Sequence, residues 1–114
     1  MKVTAGPEDA ERCNQAFTVA AAAVAAGAEV SLWLTGESTW FGVPGRAQQF
    51  NLPLATPLVD LLTIILADGS VTACTQCAAR RGITEQDLMP GVRIAGAAVF
   101  AEEILAEGVQ AIVY

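Results

Sequence analysis

The chain has 114 residues, a formal net charge of -6, three cysteines and no histidine. That length is one ordinary domain, able to bury a core without disulfide or metal staples. The missing histidine excludes Ser-His-Asp and Cys-His nucleophile pairs and His-ligated metals within the chain, and the acidic balance argues against nucleic acid as a partner.

Lys2–Ala5 reads as a short strand, turned by Gly6-Pro7. Pro7 suits the first position of a helix, and Glu8, Asp9 and Glu11 place negative charge at its positive end. That helix is expected from Pro7 to about Ala26, with Phe17, Ala21, Val24 and Ala28 at helical spacing and Gly27 as its stop. Its many alanines let a neighbour approach closely, either the sheet of the same chain or another subunit. Glu29–Thr35 follows as a strand whose apolar residues, Val30, Leu32, Trp33 and Leu34, are nearly continuous, as in a strand buried on both faces. Strand, helix, strand is a βαβ unit and implies parallel pairing.

The stretch from Glu37 to Thr56 differs, with Gly42, Pro44, Gly45, Pro53 and the exposed-looking aromatics Trp40 and Phe41. It reads as an ordered loop with short helical turns, and a connection this long usually serves function or an interface. Trp40 and Phe41 are candidates for lining a pocket or an interface. Pro57 opens a helix over Leu58–Ala67, stopped by Asp68-Gly69. Val71–Cys74 reads as a third strand and Thr75–Arg81 as the start of a helix ended by Gly82. Thr84-Glu85-Gln86-Asp87 resembles a capping box. Val92–Ile94 is a short extended piece, Ala95–Glu107 a last helix and Val109–Tyr114 a last strand. The order implies a single α/β domain over 1–114, a flavodoxin/Rossmann-like three-layer sandwich with a mainly parallel sheet of four to five strands.

The chemistry concentrates at Cys74-Thr75-Gln76-Cys77. Cys74 falls at the carboxyl end of a strand, where open α/β sheets bind ligands. Cys77 falls in the first turn of a helix, whose N–H groups favour a thiolate. Arg80, Arg81 and Arg93 follow within twenty positions, so the thiol site of an acidic protein is expected to be locally positive. A structural zinc site would need two further ligands, for which only Cys13 and carboxylates are at hand, and no metal is expected. No cofactor is expected either: there is no G-x-G-x-x-G or Walker motif, and the Gly6-Pro7-Glu8-Asp9 turn would repel a phosphate. The rival readings are a non-catalytic oligomeric binding or scaffold subunit in which Cys74 and Cys77 are inert thiols, or a Cys74-Cys77 dithiol redox sensor. Cys13, inside the first helix, reads as a packing thiol. Glu8-Asp9 and Glu102-Glu103 read as solvated helix faces.

No signal-peptide pattern opens the chain, and the alanine-rich stretch Ala16–Ala28 is too short to span a bilayer. No membrane association is expected. An odd cysteine count fits free thiols in the cytoplasm.

The first turn Gly6-Pro7-Glu8, the small-residue first helix, Leu34-Thr35-Gly36 and a strand-end cysteine six residues before Arg80-Arg81-Gly82 together resemble the DsrE/DsrF-like family over nearly the whole chain. The resemblance implies a three-layer α/β domain that forms homo-oligomers. It also implies a role in sulfur relay, with a sulfur donor or acceptor protein as partner. By position Cys74 matches the cysteine that carries sulfur as a persulfide, Cys77 is an addition seen in some branches, and Arg80 and Arg81 would stabilise the sulfur anions. One departure is the short first strand, which leaves the sheet to begin weakly or the chain to start inside that strand.

Overall fold

The computed structural model describes residues 1–114. Four strands, β1 (Lys2–Val3), β2 (Ser31–Leu34), β3 (Ser70–Cys74) and β4 (Val92–Ala95), form one sheet in the order β1-β2-β3-β4, with every pairing parallel. The helices are α1 (Ala10–Ala25), α2 (Arg46–Gln49), α3 (Leu58–Asp68), α4 (Thr75–Arg80) and α5 (Ala97–Leu105). Right-handed crossovers that keep moving the same way across a sheet stack their helices on one face. Accordingly α1 and α3 pack together on one side. After β4 the chain must return to the free edge of β1, so α5 crosses the opposite face, which makes three layers.

The last strand expected from sequence is reduced to one bridge. Val113 pairs with Lys2 in parallel, supported by Lys2 N–H to Ile112 O at 2.8 Å, Tyr114 N–H to Lys2 O at 2.9 Å and Thr4 N–H to Tyr114 O at 2.9 Å. A sheet with β1 as its second position therefore begins weakly, as the two-residue β1 requires.

Strand register sorts the two faces. Val3, Leu34, Leu32 and Val71 meet Ala16, Phe17, Ala20 and Val24 of α1 and Leu58, Leu61, Leu62 and Ile65 of α3 in the main core. Ala16 and Ala20 have no exposed surface, so the close neighbour that the alanines admit is this chain's own interior. Alternation places Lys2, Trp33, Thr72 and Arg93 side by side on the other face. That face is polar except for Trp33, and α5 covers it without burying any residue of its own.

The long connection is ordered, as expected: a 3-10 segment over Gly36–Gly42, then α2. It separates the two aromatics. Phe41 is 2% exposed, edge-to-face with Phe17 at 5.8 Å and with Phe50 at 5.6 Å. It is a core residue, and the expectation that it lines a pocket or interface is corrected. The reason is geometric: three residues per turn rotate neighbours by about 120°, so Trp40 faces out when Phe41 faces in. Trp40 stays half-buried, under the Arg46 guanidinium at 4.5 Å.

Candidate functional site

The site is built where β2 and β3 end. Beyond β2, Thr35 and Ser38 hold each other in a capping box. Both hydroxyls also donate to Val3 O at 2.8 Å, which ties the turn to the end of β1. Gly36 then adopts φ +54°, a left-handed backbone favoured by glycine. Its N–H donates to Cys77 Sγ at 3.2 Å. Beyond β3, Cys74 is the N-cap of α4, so strand and helix meet at the sulfur. Cys74 and Cys77, expected to act together, are brought together.

Cys74 is half-buried and free, as is Cys77. Burial pushes the Cys74 thiol up, but the N–H and thiol of Cys77, the N–H of Gln76 and the charge of Lys2 outweigh it, and the Cys74 pKa lies below the usual thiol value. Because α4 has only six residues, individual N–H groups do this work, with little from a helix macrodipole. Cys13 is the opposite case. It is fully buried, and burial with Glu8 and Asp9 nearby pushes its pKa up to about 12. It is an inert packing thiol, as read from sequence.

Arg81 donates to Cys77 O at 3.0 Å and to Glu37 Oε1 at 2.5 Å, so it ties the Gly36–Gly42 segment to α4. Its Nε is buried without a partner. Arg80 is exposed and lines, with Glu37, Trp40 and Arg81, a shallow cleft of about 530 Å³. Arg93 donates to Thr72 Oγ1 at 2.9 Å and to Glu103 Oε1 at 2.6 Å. Lys2, contributed by β1 and seventy-two positions from Cys74 in the chain, where sequence spacing could not reveal it, adds the smallest of the influences that lower the Cys74 pKa. Its Nζ sits 5.3 Å over the Phe100 ring, and Phe100 packs edge-to-face on Trp33 at 5.2 Å.

Glu103 also departs from expectation. It is not on a solvated face: it accepts from Trp33 Nε1 and Ser31 Oγ, each at 2.7 Å, and from Arg93. Burial raises its pKa, but the Trp33 and Ser31 hydrogen bonds and the Arg93 charge outweigh that and hold the carboxyl below its usual range. Nothing in the spacing of Glu102-Glu103 marks which of the two turns inward. A cavity of about 970 Å³ opens beside it between α5 and the amino ends of the strands, lined by Ser31, Trp33, Phe100 and Ile112 among others. It lies on the same sheet face as Cys74 but at the far end of the strands.

Comparison with known proteins places this arrangement. The model of the DsrE/DsrF-like family matches residues 2–114. The crystal structure of the ychN protein from E. coli superposes with a TM-score of 0.79, covering 99% of this chain and 96% of that one at 20% identity, which establishes a shared fold. An uncharacterised protein of Methanopyrus kandleri, MK0008, is 29% identical over 94 residues, 82% of this chain and 74% of that protein. No helix is long and apolar enough to cross a membrane.

Proposed function

Because this chain belongs to the DsrE/DsrF-like family, whose members are generally related to sulfur relay, we propose that it carries sulfane sulfur as a persulfide on Cys74. The observation that carries this reading is the environment of Cys74: a strand-end thiol with a lowered pKa, met by the N–H groups of Gln76 and Cys77. The thiolate is the nucleophile in sulfur exchange. Cys74 thiolate attacks the outer sulfur of a donor persulfide, the donor's S–S bond breaks, a new S–S bond forms on Cys74, and the donor leaves as a thiolate. No net oxidation occurs. The same N–H groups and Lys2 favour the persulfide anion that results. An acceptor thiolate then takes the outer sulfur by the reverse exchange. Donor and acceptor proteins, a homo-oligomeric state and a cytoplasmic setting that keeps thiols reduced belong to this reading.

The test is intact mass after incubating the reduced protein with a persulfide donor. The expected gain is about 32 Da per sulfur, present in Cys77→Ser and absent in Cys74→Ser. Equal loading of Cys74→Ser refutes the assignment.

A second reading has one observation in its favour: the Cys77 thiol is within hydrogen-bonding reach of Cys74. Cys77 as thiolate attacks the inner sulfur of the Cys74 persulfide, forming a Cys74–Cys77 disulfide and releasing hydrosulfide. A dithiol reductant is then needed to restore the pair. Sulfide release that stops after one turnover without reductant, and is lost in Cys77→Ser, distinguishes this route from transfer.

A further inference from the structure

Of the five arginines in this acidic chain, three are held by carboxylates: Arg12 by Asp9, Arg81 by Glu37 and Arg93 by Glu103. Arg46 and Arg80 have no carboxylate partner, although the chain holds twelve acidic residues. Both stand at one place. Arg80 lines the shallow cleft with Glu37, Trp40 and Arg81, and Arg46 lies on the Trp40 ring at 4.5 Å. The Glu37 carboxylate is taken by Arg81, so two guanidinium charges are left over in a protein of net charge -6. The buried Arg81 Nε adds a donor without an acceptor in the same wall. The cleft adjoins the thiols: Arg81 donates to Cys77 O at 3.0 Å, and Gly36, the residue before Glu37, donates to Cys77 Sγ at 3.2 Å.

We propose that this cleft binds the carboxylates of a small acidic persulfide, an amino-acid or short-peptide molecule with two carboxylates, which donates its outer sulfur to Cys74. The inference rests on the persulfide reading above and names the class of its donor. The planar fork of a guanidinium matches a carboxylate, and two unpaired forks match two carboxylates. The cleft volume of about 530 Å³ falls within the roughly 300–1,000 Å³ of small-molecule sites. The reach also fits. Cys74 caps α4 and Arg80 ends it, and the six residues between them amount to about 9 Å of helix. A three-residue peptide spans up to about 10 Å, so one molecule of that size meets both. Arg46 and Arg80 hold the donor and take no part in the exchange. Cys74 thiolate attacks the outer sulfur, the donor's S–S bond breaks, and the donor leaves as a thiolate. The local positive charge also offsets the repulsion between an acidic protein and an anionic donor.

Binding and transfer are tested separately. S-methylglutathione, a tripeptide with two carboxylates and no transferable sulfur, is titrated into the full chain and followed by NMR shifts of the Trp40 indole N–H and the Arg80 and Arg81 amides. Saturable binding is expected, weakened about three- to five-fold in Arg80→Gln and in Arg46→Gln, the size of an exposed charge pair, and lost when the peptide carboxylates are esterified. Loading of Cys74 is then read by intact mass with glutathione persulfide and with the persulfide of N-acetylcysteine amide, which has no carboxylate. The unaltered protein should load faster from the acidic donor, and the ratio of the two rates should fall about three- to five-fold in Arg80→Gln. Absence of saturable shifts around Trp40, or an affinity unchanged in both variants, overturns the cleft even where Cys74 loads normally. Equal loading of the unaltered protein from the two donors overturns this inference alone. Binding with no loading of Cys74 from either donor overturns the persulfide reading and the donor role together.

Discussion

Replacing Glu103 by alanine tests how α5 is held. The helix buries none of its residues, so its attachment rests on Phe100 against Trp33 and on the Glu103 carboxylate, which gathers donors from β2 and β4. Of the three donors, Trp33 Nε1 matters most. Trp33 is 2% exposed, so its indole N–H loses its one protein acceptor when the carboxylate is gone. A buried donor left unpaired costs about 1–3 kcal/mol, and hydrogen bonds to charged groups contribute about 1.5–3 kcal/mol each. Ser31 is half-buried, and the Arg93 side chain is 52% exposed; both rehydrate and add little. The expected loss is about 2–3 kcal/mol, a large part of the roughly 5–15 kcal/mol of a typical domain. Glu103→Gln, which keeps an acceptor for the indole, should lose about 1 kcal/mol. Urea unfolding followed by tryptophan fluorescence measures both. A loss below about 0.5 kcal/mol in Glu103→Ala, the level of an ordinary surface change, refutes the argument. The pH dependence follows the same group. Its folded pKa is lowered, so its contribution is complete above the ordinary glutamate value and is lost as pH falls through the folded value. Wild-type stability should therefore drop on acidification more steeply than that of Glu103→Gln.

Phe41→Ala should cost about 3–5 kcal/mol, because it empties a core position between two aromatic rings; Trp40→Ala, at the rim, should cost clearly less in the same unfolding experiment. Alkylation at neutral pH should modify Cys74 first and leave Cys13 untouched until the protein unfolds, read by peptide mass. Gly36→Ala should destabilise the fold and alter the alkylation rate of Cys77, since a Cβ there meets Thr4 O at 2.5 Å in a left-handed turn and moves the N–H that contacts Cys77. Unchanged Cys77 kinetics and stability in that variant would show that the turn does not position the thiol.

Element order, parallel strands, the Thr84 capping box and the placing of Cys74 and Cys77 at one strand-to-helix junction were legible in the sequence. Each is a local property. Gly27 stops α1 at a positive φ, Thr84 and Asp87 form the expected capping box, and a three-residue separation at a strand-to-helix junction puts two thiols in reach of each other. The misread residues share another feature, that their role depends on what faces them across the sheet. Phe41 looked exposed because a glycine- and proline-rich stretch surrounds it, yet the 3-10 turn directs it inward. Arg81 sits four residues after Cys77, yet Glu37 from another loop claims it. Lys2 and Cys74 come near each other only because β1, β2 and β3 lie side by side, and Glu103 leaves solvent only because α5 returns over the face that carries Trp33. The length and the element pattern by themselves determined a small α/β domain, and the cysteine spacing marked its thiols as the candidate site. Which distant charges lie near the thiol was decided by tertiary structure, because side-chain electrostatics act through space over several ångströms and the chain order shows only neighbours along the sequence.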